Sequence, residues 1–191
     1  MAALTRRAHQ LLNTNGFPCG PVDGVAGPKT KAATARFQTA YNGPRGWLAI
    51  DGIIGPKTAP CLEELPRLSG HFVVRELSCR HCGQAYVHRQ LLVGLEVLRS
   101  ALGRPLVVRS AYRCPDHNRA VGGAKASMHL HGMAADVAHP CTVADARAVR
   151  QFSGIGDDGH GLVAHLDRRH LLPEQNLTPD ATPDNPARWH Y

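Results

Sequence analysis

Ser127-Met-His129-Leu-His131-Gly132-Met-Ala134-Ala-Asp136 sets a histidine and an aspartate seven positions apart, with glycine and alanine between them. If residues 132 to 137 are extended, Gly132, Ala134 and Asp136 point to one face, and the small residues leave room beside the carboxylate. A histidine nitrogen and a carboxylate oxygen are two of the three protein ligands a catalytic zinc site uses, the fourth position being kept for water. His165, in the apolar run Leu162-Val-Ala-His165-Leu-Asp167, is the candidate third ligand. Strand alternation puts Val163, His165 and Asp167 on one face, so Asp167 stands beside His165. A carboxylate there either takes a proton from the attacking water or orients a ligand from behind, and the spacing serves both roles equally. His131 is spaced less well from Asp136 and reads as a bystander or as a support behind the ligands. In a chain with 12 histidines no single one carries weight; the run as a whole reads as a hydrolytic zinc site.

Outward from this run the pattern is mixed α and β. Leu91, Leu95, Leu98 and Leu102 trace one face of a helix that Gly103 and Pro105 close. Leu106-Val-Val-Arg-Ser110, Met133 to Val137 and Leu162 to Asp167 read as short strands. Thr142 is a helix cap, and Val149 and Phe152 continue that helix's apolar face. His71-Phe-Val-Val-Arg-Glu-Leu77 reads as a short strand or extended approach. The expectation for residues 71–191 is a compact α+β domain with a small antiparallel sheet carrying the site, preceded by a linker over 66–70. Proline-rich 172–185 reads as a surface loop before the tail.

Residues 1–65 differ in character. Val22-Asp-Gly-Val-Ala-Gly-Pro-Lys-Thr30 recurs as Ile50-Asp-Gly-Ile-Ile-Gly-Pro-Lys-Thr58. Each copy joins an Asp-Gly turn to a Gly-Pro pair whose proline suits a first helical position. Leu4, Ala8, Leu11 and Leu12, stopped by Asn15-Gly16, and Ala33, Phe37, Ala40 and Tyr41 have helical spacing. This predicts a small all-α three-helix module with two matching turns, its third helix shortened or kinked at Pro60.

The chain has 191 residues, 43% of them hydrophobic, which indicates one large or two small folded domains. No apolar run reaches the ~18–20 residues needed to span a membrane, and the N-terminus lacks the apolar core of a secretory signal. A formal charge of +7 and a pI near 9.4 favour a polyanionic partner. The basic residues are scattered, which disfavours nucleic acid. Six cysteines are too few for a disulfide scaffold, although Cys19 and Cys61 could pair. Cys79-Arg-His81-Cys82 has structural-zinc spacing and Cys114-Pro-Asp-His117 could complete a site. The long gap between the pairs makes packing or pairing near the start of the second domain the simpler expectation, with one zinc per chain.

Two resemblances emerge from these motifs. Leu11-Leu-Asn-Thr-Asn-Gly-Phe17, the doubled turn and Arg36-Phe-Gln38 resemble the peptidoglycan-binding domain of bacterial and phage wall hydrolases. Arg75-Glu-Leu-Ser-Cys79, Arg109-Ser-Ala-Tyr-Arg113-Cys-Pro-Asp-His-Asn118, Ala120-Val-Gly-Gly-Ala124 and the Ser127–Asp136 run resemble the zinc D-alanyl-D-alanine carboxypeptidase and endopeptidase family, especially its phage-type branch. Gly154-Ile-Gly156, Val163-Ala-His165-Leu-Asp167 and Ala187-Arg-Trp189 are similar to that family's closing segment and tail. The second resemblance implies His129, Asp136 and His165 as Zn2+ ligands and Arg113 as the cation that steadies the developing oxyanion. Some members place an acidic base three residues before the last zinc histidine; here that position is Leu162, or Asp167 if His170 were the ligand instead. His160 is a further acid/base candidate. Together the resemblances imply a phage-type endolysin, a zinc peptidase cutting the peptide part of peptidoglycan. It would be a monomer, made in the host cytoplasm and acting on the wall after release. The alternatives are a D-Ala-D-Ala carboxypeptidase of a resident wall-remodelling system and a non-catalytic wall-binding protein.

Overall fold

The computed structural model describes residues 2–41, 43, 45–138, 141–171 and 181–190. The first part holds three helices, α1 (Ala2–Thr14), α2 (Pro28–Ala40) and the single turn α3 (Thr58–Leu62). Pro28 opens α2 at its first position, as the Gly-Pro pair predicts. Pro60 lies in the first turn of α3, where a missing N–H costs no helical bond, and α3 ends two residues later.

The repeated turns are pinned by different side chains. Asp23 and Asp51 each accept, through Oδ1, the N–H two residues on, at 2.9 and 2.8 Å, while Gly24 and Gly52 take positive φ. On the first turn His9 bridges the Pro21 carbonyl and the Thr30 hydroxyl, at 3.0 and 3.1 Å. On the second, Gln38 donates to Asp51 at 2.8 Å and accepts from the Gly52 N–H at 2.8 Å. Cys19 and Cys61, the candidate pair, are both free buried thiols.

Next come α4 (Val74–Leu77), α5 (Arg89–Leu102), β1 (Val108–Ser110), α6 (Pro115–Ala120), β2 (Ala134–Val137), α7 (Val143–Ala148), β3 (Gly154–Asp157), β4 (Val163–Asp167) and β5 (Ala187–His190). Residues 71–77 are mostly a helical turn rather than a strand. The Glu76 carboxylate reaches back to accept the Val73 N–H at 2.9 Å, which starts a helix there. Thr142 caps α7 as expected, accepting from the Asp145 N–H at 3.1 Å. Gly103, in the left-handed conformation, closes α5.

The strand order is β1-β2-β4-β3-β5. The first four strands pair antiparallel, and β5 joins β3 in parallel, so the sheet is mixed rather than antiparallel throughout. The reason is the route of the chain. It leaves β4 at Asp167, opposite Gly154, and β5 begins beside Gly154 on the far edge of β3. Starting where β4 ended, β5 runs against β4 and therefore with β3. Of the expected loop before the tail, residues 172–180 lie outside the described residues; Thr182 and Asn185 close a short turn.

One continuous apolar core runs from Leu12, Phe17 and Phe37 through Leu62, Leu68 and Phe72 to Leu91, Leu95, Ile155 and Leu166. Residues 66–70 take part in it: Leu68 and Ser69 are buried, and the Leu68 N–H donates to the Phe72 carbonyl at 3.1 Å. A second link forms where the Ala85 N–H donates to the Gly16 carbonyl at 2.7 Å. Gly16 has φ +79°, and a Cβ there would lie 2.7 Å from the Gly83 carbonyl oxygen. Gly16→Ala should therefore lower stability by more than ~1 kcal/mol, seen as an earlier urea-unfolding midpoint. An unchanged midpoint would show that this contact does not hold the helical part to the sheet.

Candidate metal centre

The site is assembled where the paired strands β2 and β4 meet the 3₁₀ turn Met128–His131. Asp136 lies directly opposite His165 in the β2–β4 ladder. His129 arrives from the 3₁₀ turn, which Gly132 ends at φ +64°. A Cβ on Gly132 would sit 2.0 Å from the Tyr86 carbonyl oxygen, so only glycine lets this turn close against the segment before α5.

Three ligand atoms converge. His165 Nδ1 is 2.9 Å from Asp136 Oδ1, His129 Nε2 is 3.1 Å from the same oxygen, and the two nitrogens are 3.2 Å apart. A tetrahedral zinc with bonds of ~2.0–2.1 Å holds its ligand atoms ~3.3 Å apart, so the triad has the size of a zinc site. His129 and His165 are buried and Asp136 is partly buried.

Each ligand is fixed from behind. His129 Nδ1 donates to the Ala111 carbonyl at 2.5 Å, which leaves Nε2 facing the triad. The fully buried Asp167 lies 3.2 Å from His165 Nε2 and turns Nδ1 inward. The Arg113 guanidinium pairs with the outer oxygen of Asp136, and its Nε donates to the Ser110 hydroxyl at 3.0 Å. This second layer sets tautomer and direction.

Burial opposes the charge on Asp136, but hydrogen bonds from His129 and His165 outweigh it and hold the carboxyl well below the usual range. Asp167 is likewise held down to about 2: burial is overcome by His165 and Arg169. Burial lowers the pKa of His129. In His165 burial acts the same way, but the bonds to Asp136 and Asp167 prevail and raise it. Two anionic carboxylates flanking a buried imidazole favour a cation at this point.

His129 and His165 line a cleft together with Arg113, Gly123, Ser127, Asp167 and Trp189. His129, Asp136, His165, Asp167 and Arg113, all named from sequence, thus come together. His160, on the turn before β4, does not line this cleft. His170 is turned away, its Nδ1 2.8 Å from the Ser153 hydroxyl. His131 is not in the triad.

Two participants escaped the sequence reading. Arg169 pairs with Asp167 at 2.6 Å and lies over the Trp189 ring, 4.4 Å from its centroid. Trp189 in turn packs on the His165 ring, centroids 5.3 Å apart. Trp189 lay in the recognised tail motif but nothing there signals a role; its contact depends on the parallel β5–β3 pairing.

Two histidines and one carboxylate beside a cleft are the donor set of a mononuclear zinc hydrolase. The chain belongs to the Peptidase M15 family, which matches residues 70–167, and a peptidoglycan binding domain matches residues 3–62. Over 168 residues it is 34% identical to the zinc D-Ala-D-Ala carboxypeptidase of Streptomyces albus G, which covers 78% of this chain and 63% of that protein. The chain thus spans less than two thirds of that relative's length.

Asp167 carries its own test. Asp167→Asn should weaken zinc binding ~10–100-fold in chelator competition without altering circular dichroism. Gly154→Ala should weaken it too, since a Cβ there falls 2.4 Å from both Asp167 carboxylate oxygens. His170→Ala should change nothing; if it stripped the metal, the ligand assignment to His165 would fail.

Proposed function

We propose that this chain is a zinc-dependent peptidase that hydrolyses an amide bond in the peptide stem or cross-link of bacterial peptidoglycan. The observation that carries this is the His129–Asp136–His165 triad, its ligand atoms spaced as a zinc ion needs, with His129 and His165 lining a cleft. Membership of the Peptidase M15 family supports it. We assign residues 1–65 to wall binding, 66–70 to the connection and 71–191 to catalysis, in keeping with the two matched families.

Zinc, when bound, supplies Lewis acidity, bringing the pKa of a bound water down to ~7 and polarising an amide carbonyl. His129 Nε2, His165 Nδ1 and Asp136 Oδ1 would hold it. Ala111 and Asp167 keep the protons of the two histidines on the outward nitrogens, Nδ1 of His129 and Nε2 of His165. Asp167 is engaged with His165 and Arg169 at once. We therefore assign it as a positioning residue, the second of the two roles its spacing permits. Arg113 balances the Asp136 charge and lines the cleft, where its guanidinium can donate to the oxygen that gains charge as the carbonyl is attacked. The +7 charge assists settling on an anionic wall.

The finer reading is a phage-type endolysin acting as a monomer, made in the host cytoplasm and reaching the wall on release. The resemblance of the Ser127–Asp136 run to the phage-type branch of the family supports it. Among the described residues no helix is long and apolar enough to cross a membrane. A second reading, removal of a terminal D-Ala, is favoured by the similarity to the Streptomyces albus G carboxypeptidase.

Mass spectrometry of fragments released from purified peptidoglycan distinguishes the two. Separation of cross-linked stems marks an endopeptidase, and loss of single D-Ala residues marks a carboxypeptidase. His129→Ala and Asp136→Ala should each reduce release to the level of a chelator-treated sample. Undiminished release by either variant would overturn the assignment.

A further inference from the structure

A second cluster of metal-binding side chains joins the loop after α4 to the start of α6. The Sγ atoms of Cys79, Cys82 and Cys114 all fall within 4.8 Å of one another. His117 Nδ1 is 3.3 Å from Cys79 Sγ. A tetrahedral zinc with sulfur bonds of ~2.3 Å sets thiolates ~3.8 Å apart and a thiolate and imidazole nitrogen ~3.5 Å apart. None of the three cysteines is in a disulfide.

The backbone around them is built for thiolates. Gly83, directly after Cys82, has φ +69°, and its N–H donates to the Cys79 carbonyl at 2.8 Å, turning the Cys-x-x-Cys loop back on itself. The Cys114 N–H points at Cys79 Sγ at 3.4 Å, and the His117 N–H at Cys114 Sγ at 3.5 Å. Cys114 precedes α6 and His117 lies in its first turn, so both project from one short, rigid element.

We propose that Cys79, Cys82, Cys114 and His117 form a closed structural zinc site, separate from the catalytic triad. Packing alone does not account for three thiol sulfurs gathered within 4.8 Å of one another with an imidazole nitrogen 3.3 Å from one of them. The site would clip the loop after α4 to the start of α6. Between its two halves runs residues 110–113, the strip that serves the catalytic centre: Ala111 fixes His129, Arg113 pairs with Asp136, and the Arg113 N–H donates to the His129 carbonyl at 3.2 Å. A four-ligand clip at Cys114 holds this strip in place before substrate arrives. His81, whose Nδ1 is 3.4 Å from Cys114 Sγ, is the competing fourth ligand, but it is exposed, whereas His117 faces the buried Cys79.

Elemental analysis of the purified full chain tests this independently of activity. Two zinc ions per chain are expected, and the double variant His129→Ala/Asp136→Ala should keep one. Cobalt substituted into that double variant should show thiolate-to-cobalt charge-transfer bands and the visible spectrum of a tetrahedral ion. His117→Ala in the same background should release the remaining metal to chelator more readily, and His81→Ala should not. A double variant free of metal, a cobalt form without thiolate bands, or a disulfide among the three cysteines found by peptide mapping would overturn the site. The reverse ranking of the two histidine variants would overturn His117 as its fourth ligand.

Discussion

The register of β2 against β4 is the constraint on which the rest depends. Asp136 opposite His165 puts a carboxylate oxygen 2.9 Å from an imidazole nitrogen, and Ala134 opposite Asp167 leaves space on the same face for the carboxylate behind it. A slip of one residue in either strand would send that strand's two side chains to the other face of the sheet and part the carboxylate from the imidazole. Gly154 opposite Asp167 on the other side answers the same need, since any Cβ there would strike the carboxylate.

Around that ladder the structure spends buried polar groups on orientation. Asp167 is completely buried and charged, tolerable because His165 and Arg169 both contact it. Arg169 is steadied by Trp189, and Trp189 is brought there by β5, whose Arg188 pairs with the buried Asp157 at 2.8 Å. The tail of the chain thus helps hold a ligand that lies two strands away in the sheet. This arrangement suits catalysis, which gains from donors already aimed before the reaction begins.

The helical module is joined to this framework by a shared core and by paired backbone at Gly16 and Ala85. Arg89 adds a link, donating to the Leu48 carbonyl at 3.1 Å and lying over the Trp47 ring. Such contacts fix where the helical module stands relative to the cleft. The proposed thiolate clip lies beside the same junction, in the loop that ends at Gln84 and Ala85.

Much of this was legible in the chain. Turn chemistry announced the doubled Asp-Gly turns, leucine periodicity announced α5, and two-residue alternation placed Asp136 and Asp167 on usable faces, because these signals depend only on neighbours a few residues away. The three residues of the candidate metal centre were legible for the same reason, as two short motifs. The expected strand or extended approach over 71–77 holds only as far as Val73, which is extended and bridges Arg67; from Val74 the chain is helical, started by the Glu76 cap on the Val73 N–H. What only the tertiary structure decided was which distant groups meet. Trp189 on the imidazole, and Cys114 and His117 beside Cys79 and Cys82, result from chain crossings. Local pattern cannot encode them, since they depend on how strands far apart in sequence pair and on which side the chain returns.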